Sequence, residues 1–179
     1  MKTITVSASA KGMRELKREL EKYKTDLNKK IAICIERLAD LGISVAKANG
    51  GEFGSQIIFS KEVEIDGQRR IIAYVVGRDK FPILREWFYH GNIKQVEVSP
   101  LYMAEFGSGW YSEPKFDNAN GGQGTFPNQK HAFDEDGWTW TTPDGETHHS
   151  YGERPTYPMY NAYTEMYMQA KRIFQEVFR

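Results

Sequence analysis

Residues 11–48 read KGMRELKRELEKYKTDLNKKIAICIERLADLGISVAKA, and the pattern within them decides the fold. Met13, Leu16, Leu20, Tyr23, Leu27, Ile31, Cys34, Leu38, Leu41, Val45 and Ala48 follow one another at steps of three or four, the period of one helix face. The opposite face carries Arg14, Lys17, Arg18, Lys22, Lys29 and Lys30 beside Glu15, Glu19 and Glu21, charges suited to water and to local ion pairs. At 1.5 Å per residue this helix would run roughly 57 Å. A compact domain of the same length is about 40 Å across. The helix therefore either breaks near Gly42, where glycine is the weakest helix former, or sends one end out of the body to pack on another subunit.

Outward from the helix, Thr3 to Ala8 alternates as a short strand with Ile4 and Val6 on one face. Gln56 to Ile65 and Arg69 to Val76 are rich in Ile, Val, Phe and Tyr and flank Asp66-Gly67, a hairpin signal. A second pair, Ile83 to Tyr89 and Ile93 to Ser99, turns at His90-Gly91-Asn92. These four strands and the N-terminal one are expected to form a sheet that the long helix covers. Leu101 to Phe106 makes one or two helical turns, ended by Gly107 and Gly109. Residues 108–137 are crowded with Gly, Pro, Asn and Asp, a loop long enough to expect a partner to order it.

Trp138 to Thr141 and Thr147 to His149 flank Pro143-Asp144-Gly145 as a projecting hairpin. Pro155 and Pro158 introduce a closing helix whose Tyr160, Tyr163, Tyr167, Ala170, Phe174 and Val177 form an aromatic stripe for the sheet or a neighbour. The fold class is α+β: long N-terminal and C-terminal helices packed on an antiparallel sheet, with a long loop and a projecting β-hairpin. One domain fills 1–179, divided into a helix-and-sheet core (1–107), an excursion (108–154) and a C-terminal helix (155–179).

Twenty-four basic and 24 acidic residues cancel among 179, so no global field draws the chain to phosphate backbones or anionic membranes. The single cysteine, Cys34, excludes an intramolecular disulfide and reads as a small core hydrophobe, in keeping with a reducing cytoplasm. No apolar run reaches the length of a membrane span, and Met1 to Val6 lacks a signal peptide's core, so the product is expected to stay where it is made.

No grouping of residues amounts to a catalytic, cofactor or metal site, and the chain reads as a non-enzymatic protein without a cofactor. His90, His131, His148 and His149 lack the spacing of a helical zinc pair, and His148 and His149, adjacent on a strand, point apart. Asp134-Glu135-Asp136-Gly137 would place Ala132 and Pro143 at calcium-ligand positions. Ser108 has Phe106 where a nucleophile elbow needs glycine, and Gly121-Gly122-Gln123-Gly124-Thr125 lacks the Gly-Lys-Ser/Thr ending of a phosphate loop.

Glu86, Glu97, Glu105 and the Asp134 cluster leave open a pair of carboxylates for glycoside hydrolysis, with Trp87, Trp110, Trp138 and Trp140 stacking on sugar rings. The simpler account has the tryptophans rigidify the long loop and its hairpin or fill partner pockets, with Trp110, Trp138, Trp140, Phe126, Tyr163 and Tyr167 as the candidate interface residues. Glu105-Phe106-Gly107 has a structural reading too: Phe106 anchors a turn in the core, Gly107 supplies a positive φ and Glu105 accepts from backbone donors.

The segments Tyr102-Met103-Ala104-Glu105-Phe106-Gly107-Ser108-Gly109 and Pro155-Thr156-Tyr157-Pro158-Met159-Tyr160, following the long helix and its strands, resemble the tail-completion (tail-to-head joining, or neck) proteins of long-tailed bacteriophages. That family, which includes tail components and minor capsid proteins, carries a Tyr-Ala and Glu-Phe-Gly-Thr-Gly pattern mid-domain and a Pro-x-x-Pro-Phe-like motif before the last helix. The chain departs from it with Ser108 for threonine, Met103 inside the Tyr-Ala pair and an expanded segment from Trp110 to Tyr151.

The resemblance implies an α+β subunit in the virion, assembled in the bacterial cytoplasm as a hexameric ring that joins the capsid connector or stopper to the tail tube or tail terminator. DNA would be passing cargo, with no membrane and no catalysis. The competing expectations are a phage-associated cell-wall hydrolase acting through paired carboxylates and a host-directed binding module built on the Trp138 to His149 hairpin.

Overall fold

A computed structural model of the chain describes residues 9–66, 70–81, 83–89, 92–112, 134–142 and 144–179. Helix α1 (Ala10–Ala48) leads into a 3-10 turn (Gly51–Gln56), strands β1 (Ile57–Asp66), β2 (Arg70–Asp79), β3 (Ile83–Tyr89) and β4 (Asn92–Val98), helix α2 (Pro100–Phe106) and a second 3-10 turn (Gly109–Tyr111). Strands β5 (Trp138–Thr141) and β6 (Thr147–Ser150) and helix α3 (Pro158–Phe178) follow. The α+β class and both terminal helices are as expected.

Of the two outcomes open to the long helix, it projects and does not break. Ser9 starts α1 by accepting from the Gly12 amide at 3.1 Å. Gly42 is buried, and a Cβ there would lie 2.6 Å from Met166 Sδ and 2.9 Å from Val75 Cγ2. Close approach of α3 and β2 thus offsets the roughly 1 kcal/mol that glycine costs within a helix.

Helices α1 and α3 are antiparallel. At one end Asn161 Nδ2 donates to Asn49 Oδ1 at 3.2 Å, and at the other Lys30 Nζ lies 5.7 Å from the centre of the Phe178 ring, with Glu176 3.8 Å from Arg37. The buried positions on α1 are mostly small, Cys34, Ala39, Gly42 and Ala46, and Ala162 and Ile173 of α3 are buried against the same body. Residues 10–29 of α1 run on past the end of α3, an overhang of roughly 30 Å at 1.5 Å per residue.

Strands β1 and β2 form a ladder from Ile57↔Asp79 to Asp66↔Arg70 that lies along α1, where Lys61 reaches Asp40 at 2.6 Å and Glu36 at 3.4 Å. The core gathers where α1 ends: Ala46, Phe53, Ile57, Phe59, Ala104 and Ala162, ringed by Ile43, Val45, Leu101, Met103 and Met159.

Among the described residues the strands expected to share one sheet form two separate ladders, β1–β2 and β3–β4, while β5–β6 is the hairpin expected apart from them. After β2 the Lys80 amide bonds back to Gln56 O at 2.9 Å, and the Asp79 carboxylate accepts from the Leu101 amide at 2.7 Å. These bonds tie the end of the first ladder to the 3-10 turn and to α2, so β3 leaves as half of its own hairpin, from Ile83↔Val98 to Tyr89↔Asn92. The N-terminal strand from Thr3, the tips of the first two hairpins, Pro143 and residues 113–133, with Phe126, His131 and the Asn118 to Gly124 run, lie outside the described residues.

Candidate functional site

The two segments singled out by their motifs lie against each other. Pro158 opens α3 and has no amide to satisfy, and the side chain of Tyr157 makes no cap bond. The next two donors go to Glu105 instead: Met159 N to Oε2 at 2.8 Å and Tyr160 N to Oε1 at 3.0 Å. The Asn161 amide returns to Tyr157 O at 2.9 Å, so each free donor of this first turn is accounted for. A carboxylate 53 positions upstream thus caps the last helix and meets the positive end of its dipole.

Neighbouring backbone completes this clasp. Ala104, 1% exposed, accepts through its carbonyl from Thr156 N at 2.8 Å and Tyr157 N at 3.1 Å. Ser108 N donates to Glu153 O at 2.9 Å, Glu153 N donates to Ser108 Oγ at 3.0 Å, and Trp110 N donates to Tyr151 O at 2.9 Å. Gly107 sits at φ +69, and a Cβ there would meet Glu153 O and Pro155 Cδ at 2.7 Å. Arg154 lies over the Tyr111 ring at 4.5 Å. Glu105 and Gly107 therefore hold the backbone roles expected of them. Phe106 differs: it is half-buried against Tyr102, ring centres 4.9 Å apart, and the fully buried anchor is Ala104.

The aromatic candidates divide. Trp138 packs on the chain's own Gly109, where a Cβ would come 2.5 Å from its Cζ3, and Trp110 is half-buried beside the clasp. Trp140 contributes backbone to β5, paired with His148. Tyr163 and Tyr167, by contrast, are 63% and 75% exposed and stack on one another at 6.4 Å. With exposed Tyr160 and Met168 they face away from α1, so the aromatic stripe covers neither sheet nor core. Sequence periodicity found this stripe, but the face that α3 buries, around Ala162 and Ile173, carried a weaker apolar signal. The overhang of α1 is likewise bare, with Met13, Leu20 and Tyr23 each more than half exposed.

Cys34 is wholly buried, and burial pushes its thiol up against the smaller, lowering effect of Arg37, which suits a core hydrophobe and not a nucleophile. His149 bonds through Nε2 to Asp136 O at 2.7 Å while His148 stands 3.8 Å from Glu146, so the adjacent histidines diverge. Among the described residues no group of three or more His, Cys, Asp or Glu is placed to hold a metal ion, and no helix is long and apolar enough to cross a membrane.

The carboxylates considered for hydrolysis do not share a described pocket. Glu105 is committed to the helix cap, Glu97 lies exposed on β4, and Asp134, Glu135 and Asp136 are exposed before β5. Two shallow depressions, one beside Arg18, Lys22 and Lys29 and one beside Gln175 and Phe178, contain none of them. Comparison with family models, curated proteins and solved structures finds no match for this chain.

Proposed function

We propose that this chain is a non-enzymatic structural component of a bacteriophage virion that works by self-association, as a ring at the junction between capsid connector and tail. The observation that carries this reading is the outward aromatic face of α3, where Tyr163 and Tyr167 remain mostly exposed although the helix is packed along its other side. Apolar surface of that kind, continued in the bare stripe of the α1 overhang, is the usual mark of a protein contact. The motif segments offer a structural role in place of a chemical one, since Glu105 spends both oxygens on backbone amides.

The location at the head–tail junction rests on the sequence resemblance. Its partners would be further copies of the chain, the connector or stopper, and the tail tube or tail terminator. Electron microscopy of the purified chain, alone and mixed with connector and tail proteins from the same genome, tests the proposal. Rings that bind either partner are expected. Particles that remain single subunits and bind neither would overturn it.

A further inference from the structure

The neutral total conceals two opposite blocks of charge. Residues 10–29, the α1 overhang, carry seven lysines and arginines against four acids, a net +3. Residues 134–150, the β5–β6 hairpin and the turn before it, carry five acids and no lysine or arginine, a net −5 with histidines neutral. Asp134, Glu135, Asp136, Asp144 and Glu146 are all exposed, as are Lys11, Arg14, Lys17, Arg18, Lys22 and Lys24.

The two blocks stand at opposite ends of the molecule. The hairpin is rooted at Gly109, where Trp138 packs, beside the segment entering α3. The overhang begins beyond the other end of α3, where Phe178 meets Lys30. Helix α3 separates them by about 30 Å. A hairpin with strands of four residues reaches only about 17 Å. The blocks cannot neutralise each other within one chain.

We infer that the α1 overhang of one copy docks on the β5–β6 hairpin of the next, a head-to-tail contact between unlike surfaces. Overhang against overhang would set +3 against +3, so charge selects the hairpin. Because the surfaces differ, the contact repeats around a ring or along a filament instead of ending at a dimer. Lys17 and Lys24, two helical turns apart, flank the line of Met13, Leu20 and Leu27, which lets the apolar stripe seat once the charges have aligned. This inference rests on the self-association proposed above and adds to it the surfaces that meet.

Charge reversal tests it on the full-length chain. Variant one carries Lys11→Glu, Lys17→Glu and Lys24→Glu, which takes the overhang from +3 to −3; variant two carries Glu135→Lys, Asp136→Lys and Glu146→Lys, which takes the hairpin from −5 to +1; variant three carries all six. Sedimentation at 50 mM salt is expected to show each three-site variant associating about ten times more weakly than the parent or worse, with helicity unchanged. Mixing variants one and two, or using variant three, is expected to restore assembly, because every overhang then meets a hairpin of opposite sign.

Association of the parent that survives all three variants unchanged would overturn this contact while leaving self-association standing. Loss in both three-site variants with no rescue in the mixture or variant three would also overturn it. Reversal of the overhang that abolishes binding of a DNA duplex but not self-association would assign the basic block to nucleic acid instead. A parent that never associates would remove both proposals.

Discussion

Glu105 offers the sharpest perturbation of the described fold, because one side chain serves two backbone donors that have no other source. Replacement by alanine leaves the Met159 and Tyr160 amides to water at the start of a 21-residue helix. Loss of a side-chain cap costs about 1 kcal/mol. Loss of a negative charge at a helix N-terminus adds roughly 0.3–1 kcal/mol. Glu105 is half-buried, so water reaches the vacated amides in part and the larger penalty for a sealed, unsatisfied group does not apply.

The expected total for Glu105→Ala is therefore about 2 kcal/mol, close to 4–8 °C in Tm for a chain of this size. Glu105→Gln keeps one carbonyl acceptor and gives up the charge, so about half that loss is expected. Thermal unfolding followed by circular dichroism at 222 nm reads both. Two variants that melt within about 1 °C of the parent would refute the capping role. A glutamine variant that keeps the parent's stability yet abolishes a glycan-cleaving activity seen in the parent would instead make the carboxylate catalytic.

Gly42→Leu is expected to lose about 3 kcal/mol in urea unfolding, since the new side chain must displace both Met166 and Val75, whereas Gly42→Ala is expected to lose about 1 kcal/mol, because Met166 can yield and alanine favours the helix but its Cβ still meets the branched Val75 at 2.9 Å. Tyr163→Ser with Tyr167→Ser is expected to leave monomer stability within about 0.5 kcal/mol per site while sharply weakening self-association by sedimentation. The Asp144 carboxylate is held below its usual range chiefly by accepting from the Thr142 hydroxyl. Its folded value lies under the unfolded one, so its support of the hairpin is present above about pH 4 and lost as pH falls through the folded value. Protection of the β5–β6 tip amides, taken relative to the intrinsic exchange rate at each pH, is expected to fall in that acid window, and not in Asp144→Asn.

The long helix, the first two hairpins, the short helix before Gly107 and the closing helix were all legible, because each is written in period or in turn residues. The sheet was not. Its division into separate ladders depends on Asp79 bonding Leu101 and on Lys80 bonding Gln56, contacts that no local pattern announces. The buried positions of α1 were only partly legible for a related reason: periodicity marks large apolar residues and found Cys34, whereas Ala39, Gly42 and Ala46, also buried, are too small to stand out, and α3 approaches through Met166 at Gly42. Gly42 read locally as a weak point, and close packing made it a contact. At the candidate site, Glu105 as acceptor and Gly107 as positive-φ residue followed from their chemistry. Trp138 read either as a brace for its own hairpin or as an anchor for a partner, and the fold places its ring against Gly109, on the side of the brace.

If the bare faces of α1 and α3 serve other copies of this chain, the protein must associate with itself. Light scattering on the purified protein across a hundredfold range of concentration measures this. The expected mass is a whole multiple of 20.6 kDa, six for the ring that the motifs suggest. A mass of 20.6 kDa at every concentration and at low salt would refute self-association.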